Sequence, residues 1–442
     1  MTAAQRFGEY GAALLGKTLD AEVLHHAKRA VVDWYAAWIP GAVEAPATLL
    51  EKAFADDLDR GPSQLALGRR ATPRTAALIN GTAAHTVEVD DIYREAIYHP
   101  GAPTIATALA QAQACLASGL DFLTAVVAGY EISTRIGATL GRAHYHYWHN
   151  TGTVGTFGAA AAAASLLRLD SKAYTHALCT AATLASGLQQ AFRMDSMSKP
   201  LHAGHAAQAG LMAAQMAQAG VTGSLDVIDG EAGLGQAMSN GPEWSQATAS
   251  LGQRFNITQM TFKNHACCGH TFAPIDGALA LQQTLNIDAA QIRKVEVATY
   301  RPALEVAGNM SPRTAAEARF SVAYVVANAL LYGSVRLAAF AEERLGDPLV
   351  RALMTRIELS VDEDLDRAFP GQRAARVSIE TMDGRRSEHL QPTRKGDPDA
   401  PLSDEDLSDK FLELAGPILG EAAARARLAQ LWRLDAPDSS LI

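Results

Sequence analysis

Ten of the thirteen histidines in this 442-residue chain lie between positions 85 and 270, mostly in short polar segments beside helical stretches. Imidazoles grouped with carboxylates move protons near neutral pH and, when charged, recognise carboxylate ligands. The first segment, HTVEVDDIYREAIYHPG, places His85, Glu88, Asp90, Asp91, Arg94 and His99 within residues 85–101, and Pro100-Gly101 closes it before the next helix. An acid/base and substrate-positioning loop is the preferred reading. Its rivals are a metal site, which neither cysteine spacing nor a ligand-bearing helix supports, and a solvated turn whose carboxylates cap helices and pair with Arg94.

The second segment, HYHYWHNTGTVGTFG, carries His144, His146 and His149. His144 and His146 alternate with Tyr145 and Tyr147, which suits a structural or interface role, whereas His149 immediately precedes a Thr/Gly-rich helix start. Glycines there let backbone approach a ligand, and free amides can hold a carboxylate, so Thr151 and Thr153 belong to a candidate anion cradle. In SKPLHAGHAAQAG, Lys199 and His202 precede an alanine-rich helix with Pro200 in its first turn. A lysine at that place attracts a carboxylate; the plainer reading is an exposed helix-start lysine. Ser196 and Ser198 lack a nucleophile elbow. The last segment, FKNHACCGHTFAPIDG, brings Lys263, His265, Cys267, Cys268 and His270 to an apparent domain boundary, where a cleft is expected. Proton transfer or pocket lining is favoured there over zinc, because Cys115 and Cys179 fall inside predicted core helices. Buried, uncharged thiols are the plain alternative.

These segments need a scaffold, and to about residue 265 the apolar periodicity predicts helix after helix: 20–38, 44–58, 71–86, 103–118, 121–140, 154–167, 171–189, 201–219 and 242–250. Asp121, Asp170 and Ser171 stand where caps belong. Beyond Asp288 the texture changes. IRKVEVATY and LMTRIELSV read as strands, and ARVSIETMDGRRSEHLQ as a hairpin turning at Asp383-Gly384, around one long helical segment, 312–341. A small helix-backed antiparallel sheet is expected. Pro401 and Ser403 then precede a helix in which Asp406 completes a capping box, and helices 403–416 and 419–431 follow. The expected division is a helical domain over 1–268, an α+β domain over 269–396, and C-terminal helices over 397–442 returning to the first domain.

Composition narrows the classes. Aromatics make only 6% of the residues, so small and aliphatic side chains must fill the helix cores. A net charge of -9 argues against a nucleic-acid surface. A local basic pocket for an anionic substrate is compatible with it. Four cysteines, two of them adjacent, do not make a disulfide framework, and a cytoplasmic setting fits. The N-terminus does not read as a secretory signal. GTVGTFGAAAAAASLL reads as a buried helix, not a membrane span. No Walker loop, dinucleotide fingerprint or HExxH motif occurs.

VEVDDIYREAIYHPG, HNTGTVGTFGAAAAAASLLRLD, SKPLHAGHAAQAG and KNHACCGHTFAPIDG, with GYEISTRIG and KGDPDAPLSDEDLSDKF, resemble the MmgE/PrpD family in order and spacing over nearly the whole chain. That family includes 2-methylcitrate dehydratase, cis-aconitate decarboxylase and iminodisuccinate epimerase. The resemblance implies a large all-helical domain with a smaller α+β lid, a homodimer, and chemistry on a small di- or tricarboxylate without metal or other cofactor. It implies acid/base and catalytic positions at Asp91, His99, His149, Lys199 and His270. The implied substrate-binding set is Glu88, Asp90, Thr151, Thr153, His202 and Cys268. The shared step is proton transfer at carbon next to a carboxylate, with His149 or Asp91 as base, His99 or His270 as acid, and Lys199 and His202 neutralising substrate carboxylates. Family members that decarboxylate often place histidine where Cys268 stands, so dehydration is the reaction expected here, with epimerisation and decarboxylation as alternatives.

Overall fold

The structure is a computed structural model that describes residues 1–192, 196–369, 371–437, 439 and 441. The chain is mainly α-helical, with a smaller α+β part. It divides into two compact units, Met1–Phe262 with Ser403–Ile442, and Lys263–Leu402.

The larger unit begins with α1 (Ala3–Leu14), whose start is closed by a Thr2–Gln5 capping box, and α2 (Ala21–Gly41). After α3 (Ala47–Ala53) comes a ribbon of β1 (Leu58–Gln64) and β2 (Arg70–Ala71). Then follow α4 (Pro73–Thr86), α5 (Gly101–Ala114), α6 (Gly119–Tyr145), α7 (Asn150–Leu166), α8 (Ser171–Leu184) and α9 (Ser198–Gln218). Two short helices, α10 (Leu234–Met238) and α11 (Ser245–Thr248), complete this run. Every residue of α7 is buried, and α5, α6, α8 and α9 pack around it. A helix apolar on all sides belongs in such a position, and its alanines and glycines let neighbours approach closely. No helix among the described residues is long and apolar enough to cross a membrane.

Within Lys263–Leu402, α12 (Phe272–Leu285) precedes β3 (Ile292–Thr299). Next come α13 (Arg301–Ala307), α14 (Ala315–Ala318), α15 (Val322–Tyr332), α16 (Glu342–Leu345) and α17 (Pro348–Met354). The chain returns through β4 (Ile357–Val361), α18 (Glu363–Ala368), β5 (Ala375–Thr381) and β6 (Arg386–Gln391). The sheet order is β4-β3-β5-β6, and α12 packs on β5 and β6. The last helices, α19 (Asp404–Leu419) and α20 (Glu421–Trp432), belong to the larger unit, where both pack against α2. The Ser403–Asp406 capping box is present.

Several expectations are corrected. The sheet is mixed, since β3 and β4 run parallel, with Val295 opposite Ile357. The helical crossover between them returns the chain to the same end of the sheet, which a hairpin cannot do. The segment 312–341 is not one helix. Ser321 caps a new start by accepting from Tyr324 N, and Gly333, at φ +75°, ends α15 in the left-handed region. The 44–58 segment is α-helical only over Ala47–Ala53, with a 3-10 turn at Ala55–Asp57, and 242–250 is helical only over Ser245–Thr248. The 171–189 helix stops at Leu184, and Asp121 lies in the first turn of α6, capped by Ser118. Cys115 stands beyond the last residue of α5 and is exposed, not in a core.

Candidate functional site

The site in the larger unit is built where α4 ends and where α5, α7 and α9 begin. His85 is the penultimate residue of α4 and is fully buried. The loop after it turns sharply at Glu88, which has φ +61°. Asp90 follows, 1% exposed, and its Oδ2 lies 2.7 Å from His85 Nδ1 and 3.3 Å from His99 Nδ1. Burial opposes ionisation of Asp90, but the charges and hydrogen bonds of the two imidazoles outweigh it and hold the carboxyl well below its usual range. His85, Asp90 and His99 are the only such trio among the described residues that could offer three donor atoms to a metal ion, all within 4.8 Å. Asp90 hydrogen-bonds His85 and lies in ion-pair contact with His99, so the group fits a charge-paired cluster better than a metal cage. Cys267, Cys268, His265 and His270 form no such group.

Asp91 is placed differently. Its Oδ1 accepts from Gly101 N at 3.0 Å, at the start of α5, and its Oδ2 accepts from Tyr130 Oη at 2.7 Å. Burial and the nearby Asp33 carboxylate push it well above the usual carboxylate range, against the two hydrogen bonds. A carboxyl held in this way anchors the loop to α5 and α6.

His149 is the residue that opens α7. Its ring stacks on His85 at 5.5 Å between centroids, and its Nδ1 lies 3.1 Å from His202 Nδ1, so one of the two donates and the other accepts. Burial, with the charges of His85 and Lys199, holds His149 well below its ordinary value. Burial likewise brings His202 down to about 4, so both are neutral at pH 7. On the first turn of α9, Lys199 pairs with Glu88, and its Nζ lies 5.4 Å from the Phe192 ring centroid. His202 also borders an open, mostly apolar groove of about 850 Å³ lined by residues including Phe54, Leu78, Leu188 and Leu201.

Thr151 and Thr153 support the imidazoles. Thr151 Oγ1 accepts from the backbone N–H of His99 at 3.4 Å, and Thr153 Oγ1 lies 2.7 Å from His144 Nε2. His144 is fully buried with its Nδ1 on Met238 O, a structural placement, whereas His146 is exposed. The glycines of α7 serve helix packing: a Cβ at Gly152 would lie 2.4 Å from Ser186 O, one at Gly155 2.6 Å from Pro103 Cγ, and one at Gly158 2.5 Å from Thr104 Oγ1.

His270 and Cys268 belong to the smaller unit. His270 Nδ1 is 2.8 Å from Tyr300 Oη, and burial with the Arg373 and Arg394 charges brings the imidazole down to about 4. Cys268 is half-buried beside it in sequence. Cys267 is buried with Sγ 3.0 Å from Thr271 Oγ1, and burial pushes its thiol up to about 12, which makes it an uncharged packing group. His265 pairs with Asp276 at 3.0 Å.

Of the expected residues, the larger unit thus brings together Glu88, Asp90, His99, His149, Lys199 and His202. His85, which belongs to the acid/base segment of the sequence but not to the expected site set, touches Asp90, His99 and His149. Its position five residues before Asp90, at the end of an apolar helix, was the available signal. Tyr130 and Phe192 carried none.

A helical unit with buried imidazoles and a lysine at converging helix ends, and a smaller α+β unit, describe a definite class of protein. The N-terminal domain model of the MmgE/PrpD family matches residues 5–247 and the C-terminal domain model residues 265–435. The chain belongs to the MmgE/PrpD family. It is 29% identical over 427 residues to a cis-aconitate decarboxylase-like protein of Aspergillus oryzae (strain ATCC 42149 / RIB 40), covering 91% of this chain and 88% of that one. Human cis-aconitate decarboxylase is 31% identical over 361 residues, 79% of this chain and 74% of its own. The Aspergillus terreus cis-aconitate decarboxylase is 27% identical over 433 residues, at 92% and 88% coverage.

Proposed function

We propose that this chain is a lyase that decarboxylates a small tricarboxylic acid of the cis-aconitate type. One observation carries the reading: His85, His99, His149 and His202 form a continuous run of ring and hydrogen-bond contacts beside Lys199, at the starts of α7 and α9. Neutral imidazoles there can take up and return a proton at neutral pH. Lys199 supplies the fixed positive charge that a substrate carboxylate needs, and such a carboxylate competes with Glu88 for it. Decarboxylation is preferred to the dehydration expected from Cys268 because the human and Aspergillus terreus relatives, matched over most of their length, are cis-aconitate decarboxylases. The reading takes the protein as a cytoplasmic homodimer that needs no bound cofactor.

The test is incubation of purified, EDTA-treated protein with cis-aconitate, citrate and 2-methylcitrate in D₂O, followed by NMR and CO₂ release. Decarboxylation gives CO₂ and a product deuterated on carbon; dehydration gives a new alkene without CO₂; epimerisation gives deuterium without net loss. His149→Ala should lower kcat at least about 100-fold. No turnover and no deuterium uptake with any acid would overturn the reading, and binding without turnover would make the protein a ligand-binding member of the family.

A further inference from the structure

Asp90 is buried at 1% exposure, yet one of its oxygens faces two imidazoles, in a hydrogen bond with His85 Nδ1 at 2.7 Å and in ion-pair contact with His99 Nδ1 at 3.3 Å. An ionised carboxylate only accepts, so His85 carries its proton on Nδ1, and a proton on His99 Nδ1 is the one that faces the carboxylate, leaving the lone pair of each neutral ring on Nε2. The two rings differ in access. His85 is sealed, wedged between His99 and His149 with centroids 4.8 and 5.5 Å away. The His99 side chain is 14% exposed, and its backbone N–H is held by Thr151 Oγ1 at the start of α7.

We propose that Asp90 is a positioning residue: it fixes His99 with Nδ1–H towards the carboxylate and Nε2 as the proton-transferring nitrogen, while His85 braces the carboxylate from the buried side. The inference rests on the lyase reading for its kinetic part. In the decarboxylation, the C–C bond to the departing carboxylate breaks, its electron pair stays on the substrate as a delocalised carbanion, and CO₂ leaves. The His99 imidazolium then delivers its Nε2 proton to carbon, forming the C–H bond and returning to the neutral ring. Asp90 stabilises that imidazolium by its negative charge, with the Nδ1–H of His99 turned towards it throughout. The groups around this pair are His85 from α4, His149 and Thr151 from α7, and Lys199 with its partner Glu88. Asp90 is the carboxylate whose 3.3 Å contact favours a charge on His99.

Two measurements on the full-length protein test this independently. The first needs no substrate: histidine-selective ¹⁵N–¹H correlation spectra of the unliganded protein should show His85 and His99 as Nδ1–H tautomers where neutral. In Asp90→Asn, whose amide can donate, the pH at which His99 protonates should fall by at least one unit. The second uses whichever acid in the panel is turned over. Asp90→Asn should lower kcat by about 10²- to 10⁴-fold with KM within about threefold, and the acidic limb of the kcat profile should move to lower pH. Asp90→Glu should recover part of kcat. An Nε2–H tautomer at His99 in the wild type, or a folded Asp90→Asn protein with kcat within threefold of wild type, would overturn the proposal. If Asp90→Asn fails to fold, the wild-type tautomer assignment decides. If no acid is turned over, the lyase reading falls while the spectra still answer for Asp90.

Discussion

Lys199 illustrates how one side chain can be poised for an anion without being exposed. Its side chain is 17% exposed, with the ammonium paired with Glu88 and close to the Phe192 ring. Replacing it with Ala removes a charged hydrogen bond of about 1.5–3 kcal/mol. Under the proposed function, Lys199→Ala should therefore lower kcat/KM about 10- to 100-fold, mostly through KM, and Lys199→Arg should be intermediate; initial rates over a substrate series check this. The histidines make a prediction that needs no substrate. His26, His144, His149, His202 and His270 all lie below the ordinary 6.5 in the fold, foremost because of burial, with His144, His202 and His270 at about 4. Between pH 6.5 and 4 the unfolded chain binds more protons at these rings, so their contribution is present above 6.5 and lost as pH falls. Glu131, raised by burial to about 7, and Asp91, raised well above its usual range, act oppositely, since their contribution is present at low pH and lost as pH rises through the folded value. Five groups outnumber two. The urea midpoint should be lower at pH 5 than at pH 7, and an equal or higher midpoint at pH 5 would contradict the burial of these rings.

At the scale of elements, the site depends on how closely α4, α7 and α9 approach. A Cβ at Gly210 of α9 would lie 2.5 Å from Thr156 O and 2.6 Å from Ala160 N, both backbone atoms of α7. Gly210→Ala must push two helices apart and should cost about 1–3 kcal/mol, seen as a lowered Tm. Gly416 in α19 has nothing within 4 Å of the same added atom, but it precedes Pro417, whose ring disfavours a helical residue with a Cβ before it, so Gly416→Ala should leave stability within about 0.5 kcal/mol. The same substitution at the two sites separates backbone crowding from an open position. The same glycines explain what could be read in advance. Alternation of apolar and small residues located most helices of the larger unit and all the sheet strands, because those periods survive in the sequence. The Thr/Gly stretch before the predicted helix 154–167 suggests a ligand-facing entry, but the helix already begins at Asn150, since glycine answers to whatever presses on it and that neighbour lies elsewhere in the chain. For the same reason β1, with Gly61 and Pro62 inside it, did not read as a strand. His149 and Lys199 were legible because they mark helix starts, whereas the part played by His85 depends on partners brought in by α7 and by the loop.

Over the whole of the larger unit, the C-terminal segment helps to set the site loop. Lys410 of α19 is 1% exposed, and its Nζ donates to Asp33 Oδ1 of α2 and to Val89 O, both at 2.6 Å. Val89 adjoins Asp90, so one ammonium ties the last helices, the second helix and the catalytic candidate loop together. Asp33 is also among the charges that push Asp91 upwards. Nothing in the local sequence DLSDKFLEL marks this lysine as buried, because its carboxylate partner is 377 positions away. Removing one member of such a pair leaves a charge in a low-dielectric interior, and the expected loss for Lys410→Met is about 3–5 kcal/mol. Asp33→Asn in the same chain should recover much of that, since the remaining polar group is neutral, and a double-mutant cycle by urea unfolding measures the coupling. If the ammonium also anchors the loop, Lys410→Met should alter the His85 and His99 resonances even where the protein remains folded, and the double variant should not restore them, because Val89 O still lacks its donor. Unchanged resonances would confine Lys410 to holding α19 on α2.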